Sequence, residues 1–198
     1  MQVLKERIIV LKKVPFGESD LIIHGLSGKG ARMHFVAKGA LKSRKRFGGG
    51  LLEPTRYIEV QYKDRKGGEE SESLYFLLEA QNIESFDGLR LDYDRLELGL
   101  FFVQLVSKVI QEGVLEEESI FNLLGHALKQ AESTQRLDLL KLQFELKFLY
   151  QQGVLPPELV VPEILSCSIR DHESLIFGVR ELQVLQSKVN HFLHSYVG

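Results

Sequence analysis

The chain has 198 residues, of which 44% are hydrophobic and 26% charged, as is ordinary for a folded protein of one large or two small domains. No apolar run approaches the roughly 20 residues that span a bilayer, so we expect no membrane segment and a cytoplasmic location. The single cysteine, Cys167, excludes an intramolecular disulfide and a multi-cysteine zinc site.

The net charge of −2 conceals two halves of opposite sign. Residues 1–66 carry a charge of +9, whereas residues 67–198 carry −11. A basic half suits a polyanion such as nucleic acid, and an acidic half is better suited to packing or protein partners. The sequence therefore predicts different roles for the two halves.

The first 84 residues have the pattern of a small β-barrel. Apolar and β-branched runs separated by turn residues predict five strands, which are Val3–Val14, Asp20–Leu26, Ala31–Ala37, Arg56–Tyr62 and Leu74–Ala80. Five strands in a segment of this length suit the OB-fold, the five-stranded barrel that binds oligonucleotides. We interpret Glu18 and Asp20 as turn residues that cap backbone N–H groups, not as a catalytic carboxylate pair.

The connection between the third and fourth predicted strands holds the strongest candidate site. Five cations fall within nine residues, with no acid before Glu53: Lys38, Lys42, Arg44, Lys45 and Arg46. Phe47 and three glycines follow, and glycine lets a backbone turn sharply and approach a ligand closely. This charge favours a phosphate backbone as the ligand, although a solvated loop without a specific partner is the alternative.

Further candidate DNA-binding residues flank this segment. Lys29 and Arg32 surround the preceding turn, Arg56 begins the fourth strand, and we expect these positions to gather on one side of the barrel. Phe35 and Tyr62 are expected in the core. Phe47 is the best candidate for stacking on bases, because its glycine-rich loop offers no core for the ring to enter.

From Asp92 onward the apolar spacing changes to the helical period. It predicts one helix from Asp92 to before Gly113, a second that begins near Glu116–Glu118, and two more over Arg136–Gln152 and Val179–Tyr196. Residues 164–177 favour a short hairpin that turns at Arg170–Glu173. The expected class is α+β, with an OB-fold in residues 1–84 and an acidic, all-helical domain in residues 85–198.

Enzyme motifs are missing from the sequence. No P-loop, HExxH or GxSxG pattern occurs, so we expect no enzymatic activity and no cofactor. His191 and His194 lie three residues apart without a third ligand nearby, so no metal site is expected. Cys167 is expected to be a small buried residue.

The run IIVLKKVPFGESDLIIHGLSGKGARMHFVAKGALKSRKRFGGGLLEP, residues 8–54, resembles the N-terminal domain of the RecO family of bacterial recombination mediators. Looser similarity continues through FDGLRLDYDRLELGLFFVQLV, FNLLGHAL and FELKFLYQQGVLP. Many members of the family carry a four-cysteine zinc module after the third helix. The corresponding LSCSIRDHESLIFG has one cysteine, so the chain resembles a variant without that module and no zinc is expected.

The resemblance implies an OB-fold followed by a helical domain, binding of single- and double-stranded DNA, and annealing of complementary strands. It also implies exchange with single-strand-binding protein so that RecA loads, with RecR and the acidic C-terminal tail of single-strand-binding protein as partners. The family's DNA-binding role falls best on the five cations of residues 38–46.

Residues and resemblance together predict a non-enzymatic, nucleoid-associated DNA repair protein that anneals strands in RecF-type recombination. An acidic tail needs local cations within the acidic half, and the candidates are Lys108, Lys129, Arg136 and Lys141. Two alternatives stay open: an RNA-binding OB-fold module, and an interaction scaffold in which the basic loop meets an acidic protein.

Overall fold

The computed structural model of the protein describes residues 2–63, 74–110 and 118–197. The predicted loop at residues 64–68, the predicted helix end at Gly113 and the acidic residues Glu116 and Glu117 lie outside this range. The chain divides into two compact units. The first comprises Met1–Phe86 and Val103–Phe121, and the second comprises Asp87–Phe102 and Asn122–Gly198. The predicted division at residue 84 stays a prediction.

The first unit contains a closed five-stranded barrel, as the sequence predicts. The strands are β1 (Leu4–Phe16), β2 (Asp20–Ser27), β3 (Arg32–Ala37), β4 (Tyr57–Lys63) and β5 (Leu74–Glu84). They close in the order β1-β2-β3-β5-β4, with β3 and β5 parallel and the other neighbours antiparallel. The barrel and the helices that follow it confirm the α+β class with an N-terminal OB-fold.

Strand β1 is long enough to pair with two neighbouring strands. Its first half pairs with β4 and the rest pairs with β2, and the register with β2 shifts between Val10 and Lys12. The strand continues through Pro15 to Phe16, two residues beyond its predicted end. A bulge of this kind bends a strand and changes the direction of the side chains that follow it.

Alternation of side chains fills the barrel. Ile58, Val60 and Tyr62 of β4 are buried and alternate with half-buried Tyr57, Glu59 and Gln61. Phe35 is fully buried in the same core and lies edge-on to Tyr62, with ring centroids 5.5 Å apart. The predicted core positions of Phe35 and Tyr62 are therefore confirmed.

The helices that follow are α1 (Tyr93–Val109), α2 (Glu118–Ala131), α3 (Leu137–Gln151), α4 (Pro162–Ser166) and α5 (Val179–Val197). In the second unit Phe102 of α1 packs against Phe144 of α3, and Phe148 stacks beyond it. The helical period of the sequence puts one apolar stripe on α2 and one on α3, and both stripes are buried: Ile120, Leu123, Leu124, Ala127, Leu128, Ala131, Leu140, Phe144, Phe148 and Leu149. Among the described helices, none is both long and apolar enough to cross a membrane.

The predicted hairpin at residues 164–177 is wrong. The segment forms the end of α4 and a 3₁₀ helix over Ile169–Ser174. Gln143 of α3 donates from Nε2 to the carbonyls of Ile164 and Cys167, at 3.2 and 3.0 Å. These bonds satisfy carbonyls at the end of a short helix, so the segment needs no second strand for its backbone.

Candidate nucleic-acid interface

The basic loop, residues 38–46, is tied down at its start by the β1–β2 turn. The Asp20 carboxylate accepts a hydrogen bond from the Gly39 N–H at 2.8 Å, and the Ser19 carbonyl accepts one from the Leu41 N–H at 3.0 Å. The predicted capping role of Asp20 is confirmed. Residues Ala40–Lys42 form a 3₁₀ turn, in which Ala40 is buried and Leu41 is exposed.

Phe47 anchors the far end of the basic loop. Its side chain is only 6% exposed and belongs to the barrel core. The expectation that the ring had no core to enter is therefore wrong, because the glycines that follow turn the chain and let the ring fold inward. A Cβ on Gly48 would lie 2.2 Å from the Arg44 carbonyl oxygen, so only glycine fits there. Gly49 and Gly50 have positive φ angles of 68° and 71°.

Two of the five cations hold the loop together. The Arg46 guanidinium donates to the Lys38 carbonyl at 2.9 Å and lies 5.1 Å from the centroid of the Phe47 ring. The Lys38 ammonium lies 5.0 Å from the centroid of the Phe76 ring. The Arg46–Phe47 and Lys38–Phe76 contacts are cation–π contacts, which orient the two cationic side chains without neutralising their charge.

The other three cations, Lys42, Arg44 and Lys45, form the exposed tip of the loop. Their side chains make no hydrogen bond or ion pair with the residues that the structure describes. Three like charges on a segment whose two ends are fixed produce a concentrated positive potential. The tip therefore has the chemistry of a phosphate-binding site.

Lys29 and Arg32 lie at the opposite end of β3 from the basic loop. Strand β3 begins at Arg32 and ends at Ala37, directly before Lys38. Five residue steps along a strand span about 16 Å, so Lys29 and Arg32 do not share one phosphate contact with the loop, and the gathering of these cations on one side of the barrel stays a prediction. Lys29 is exposed in the β2–β3 turn and stays a candidate for a separate phosphate contact.

Arg32 makes structural contacts at its end of the strand. Its guanidinium donates to the carbonyls of Ser107 and Ile110, at 3.2 and 3.4 Å, and to the His34 Nε2 at 3.1 Å. These carbonyls belong to the end of α1, where a cation is favourable. Partial burial and, secondarily, Arg32 lower the pKa of His34 to about 4. The neutral His34 ring is therefore the form that accepts from Arg32.

Arg56 is also engaged within the barrel unit. Its guanidinium donates to the Ser85 carbonyl at 2.9 Å, and the residue is half-buried. This contact joins the segment before β4 to the end of β5. It leaves less of the side chain available to a ligand than the exposed residues of the loop tip offer.

Two exposed apolar side chains, one beside the basic loop and one within it, were not predicted from the sequence. Phe16, at the end of β1, is 54% exposed, and Leu41 is 56% exposed. The only signal for Phe16 was its position before Gly17, which closes the β1–β2 turn with a φ of +64°. Both residues lie on the segments that the Ser19–Leu41 hydrogen bond joins.

The four candidates for an acidic tail fall in different surroundings. Lys108 is exposed on α1. Lys129 pairs with Glu132 at 2.8 Å, and Arg136 pairs with Asp138 at 3.5 Å. Lys141 lies 4.6 Å from the centroid of the Phe101 ring and 3.8 Å from the Glu145 carboxylate.

Two cavities of the second unit contain these cations. One, of about 420 Å³, contains Lys141 among apolar and acidic side chains: Asp94, Glu97, Leu98, Phe101, Leu137 and Asp138. The other, of about 390 Å³, contains Arg136 with the apolar side chains of Phe177, Val179 and Leu182 and the polar ones of Asp138, Gln183 and Gln186. The first carries more acid around its cation, so the second is the better match for an acidic segment.

Metal ligands do not cluster in the described part of the chain, where no group of three or more His, Cys, Asp or Glu side chains has the arrangement of a metal site. Cys167 is half-buried, not fully buried as expected, and its sulfur lies 3.4 Å from the Ser168 carbonyl oxygen. That carbonyl and a second one, from Asp171 at 3.6 Å, surround the thiol.

A closed OB-fold barrel with an anchored cationic loop, followed by a helical segment, defines the chain as a protein of the oligonucleotide-binding class of folds. Residues 1–86 match the family model described as "Recombination protein O N terminal". A protein of Syntrophobacter fumaroxidans named DNA repair protein RecO is 31% identical over 157 residues, which cover 79% of this chain and 59% of that protein.

Two further proteins with that name give similar matches. The one from Maridesulfovibrio salexigens is 30% identical over 156 residues, 77% of this chain and 60% of that protein. The one from Alkaliphilus metalliredigens is 29% identical over 182 residues, 90% of this chain and 68% of that protein. On these matches residues 1–86 belong to the RecO N-terminal domain family, and the chain is similar to RecO proteins over about three quarters of its length. It spans about 60% of the length of the first two relatives.

Proposed function

We propose that the protein is a DNA-binding recombination mediator, which acts in DNA repair in the cytoplasm without a chemical step of its own. The RecO N-terminal domain and the similarity to proteins named DNA repair protein RecO support this role. The observation that carries it is the loop tip, in which Lys42, Arg44 and Lys45 are exposed and have no ionic partner among the described residues. Arg46 and Phe47 support the binding indirectly, because they hold the tip in place.

The proposed mechanism is electrostatic. Phosphates that contact the loop tip release counterions, and this release drives binding. Partial neutralisation of one strand lowers its repulsion for a complementary strand, so annealing becomes faster. Because only charge and position are required, neither nucleotide hydrolysis nor a metal enters the mechanism.

The test is fluorescence anisotropy of a labelled single-stranded oligonucleotide with wild type and with a Lys42→Ala, Arg44→Ala, Lys45→Ala variant, at several salt concentrations. The slope of log affinity against log salt should become shallower by about 2, since each lost phosphate contact on a single strand contributes about 0.7. The annealing rate of complementary strands should fall with it. Arg46 is kept, because its loss would also disturb the loop.

A control variant removes three charges from the helices: Lys129→Ala, Arg180→Ala and Lys188→Ala. It should bind DNA as wild type does. If the loop variant and the control bind equally well, DNA lies elsewhere and the proposed site is wrong. If wild type itself shows no salt-dependent binding, the DNA-binding function is wrong.

We also propose that the helical unit binds the acidic C-terminal tail of single-strand-binding protein, which would bring the mediator to coated DNA before RecA loads. RecR is the further partner that the resemblance to RecO proteins suggests. The cavity at Arg136 supports the tail proposal, because Asp138 is the one carboxylate that lines it, whereas three line the cavity at Lys141. An acidic tail would have to compete with Asp138 for the Arg136 guanidinium.

Tail binding is tested with a labelled acidic tail peptide and two single variants. Arg136→Ala should weaken peptide binding more than Lys141→Ala does, because three carboxylates line the cavity that contains Lys141. Equal affinity of wild type and both variants would remove this pair from the tail site. Lys108→Ala and Lys129→Ala then test the remaining candidates.

A further inference from the structure

The burial of Phe47 leaves the DNA-binding end of the barrel without its predicted stacking ring. Most aromatic rings of the described barrel unit are likewise buried or half-buried. Phe16 differs, because its side chain is 54% exposed and is the one exposed aromatic ring in the described part of this unit. An isolated exposed apolar residue is common on protein surfaces and needs no explanation. Its position is what makes Phe16 informative.

Phe16 lies beside the start of the basic loop. It is the register partner of Asp20 across the tight β1–β2 turn. The Asp20 carboxylate binds the Gly39 N–H, and the Ser19 carbonyl binds the Leu41 N–H. The exposed ring therefore belongs to the same hydrogen-bonded unit as the loop that presents the cations.

Leu41 is a second exposed apolar side chain, within the basic loop itself. It is 56% exposed and immediately precedes Lys42, the first cation of the tip. Exposed apolar side chains on the same segments as ammonium and guanidinium groups match the chemistry of a single strand, whose bases have apolar faces and whose phosphates are charged. Two nearby acids oppose binding: Glu18, which is exposed in the turn, and Asp20, whose carboxylate accepts from the Gly39 N–H.

We propose that Phe16 stacks on an unpaired base while Leu41 covers the neighbouring base and the loop tip holds the phosphates. This inference rests on the proposed DNA-binding function and adds a preference for single strands to it. Cations at the tip bind the backbone of any nucleic acid, whereas the ring needs a base face that is not already stacked in a duplex. Phe16 is thus the residue that distinguishes a single strand from a duplex.

The experiment compares wild type with a Phe16→Ala variant on three labelled probes of equal length: oligothymidylate, an abasic strand and a duplex. The variant should bind oligothymidylate about 10-fold more weakly, within the range that one stacked base contributes. Its affinity for the abasic strand and for the duplex should equal that of wild type. A Leu41→Ala variant should show the same selective loss, but smaller.

A second measurement uses the absence of tryptophan from the sequence. A Phe16→Trp variant contains one tryptophan, whose emission should be quenched when oligothymidylate binds and should stay unchanged with the abasic strand. Tyr196→Trp, on α5, is the control and should report no quenching. A thermal-unfolding midpoint of Phe16→Ala equal to that of wild type would show that the barrel is intact.

Two results overturn the inference. If Phe16→Ala weakens binding to all three probes equally, the ring acts by positioning the loop and not by stacking. If Phe16→Ala binds all probes as wild type does while the triple loop variant fails, stacking is refuted and the proposed function stands. Wild-type binding by the triple loop variant would refute the proposed site itself.

Discussion

The conformation of the basic loop can be changed without changing its charge. A Gly48→Ala substitution places a Cβ 2.2 Å from the Arg44 carbonyl oxygen, whereas ordinary contacts begin at 3.4 Å. The Arg44 backbone must therefore move by about 1.2 Å or the turn must open. Overpacking of this kind costs about 1–3 kcal/mol, and it displaces the residue at the centre of the loop tip.

Gly48→Ala should therefore weaken single-strand binding although every cation is retained. Loss of one phosphate contact would reduce affinity about 5-fold, if an exposed ion pair contributes about 1 kcal/mol. The slope of log affinity against log salt should become shallower by about 0.7. The assay is anisotropy at four salt concentrations, with thermal unfolding as the check on the fold.

Gly28→Ala is the matched control, in the β2–β3 turn of the same barrel. A Cβ there would meet its nearest atom, Glu6 Oε1, at 3.6 Å, which is an ordinary contact. This variant should bind as wild type does. If Gly48→Ala kept wild-type affinity and salt slope, the loop would act only as a mobile charge, and the argument from its anchored geometry would be refuted.

Three further predictions concern stability. Since the pKa of His34 is lowered to about 4 from 6.5, the unfolded state binds more protons between these values and stability should fall by about 1–2 kcal/mol as pH drops through that window. Denaturant titrations should show a smaller fall for His34→Gln, and an equal fall would exclude His34 as the cause. Burial raises the pKa of Glu145 to about 7, although a hydrogen bond from Gln186 opposes the shift. The folded state therefore binds more protons than the unfolded state between pH 4.5 and 7, and stability should decrease as pH rises through this window. Glu145→Gln should remove this decrease, and a decrease that persisted in the variant would exclude Glu145 as its cause. Phe47→Ala should destabilise the barrel by about 3 kcal/mol because it empties a core position, whereas an unchanged melting temperature would mean that the ring is not packed.

Several features follow from the sequence by itself. The sequence predicted the core positions of Phe35 and Tyr62, and its helical period predicted a helix over the segment that holds Phe144 and Phe148. The five cations of the basic loop were visible because they are adjacent in the chain. Such features are local: they depend on the residue types within a few positions, so a single sequence is enough to predict them.

Other features depend on contacts between distant residues. Phe47 is buried because the barrel core has room for its ring, and Gly48 permits the turn that brings the ring there. The 164–177 segment ends a short helix and continues in a 3₁₀ helix, because Gln143 of α3 donates hydrogen bonds to the Ile164 and Cys167 carbonyls. No local pattern encodes a partner 20 or more residues away, so the sequence could not distinguish a helix from a hairpin at this segment.

Tertiary contacts also decide which residues make up the candidate site. Chain order suggested that Lys29, Arg32 and the basic loop form one surface, but strand direction places the first two at the far end of β3. Phe16 was passed over in sequence because its position before Gly17 indicates a turn but not an exposed ring. The sequence determined which residues are charged or aromatic, and the barrel register determined which of them lie together, because register sets the distance between residues on different strands.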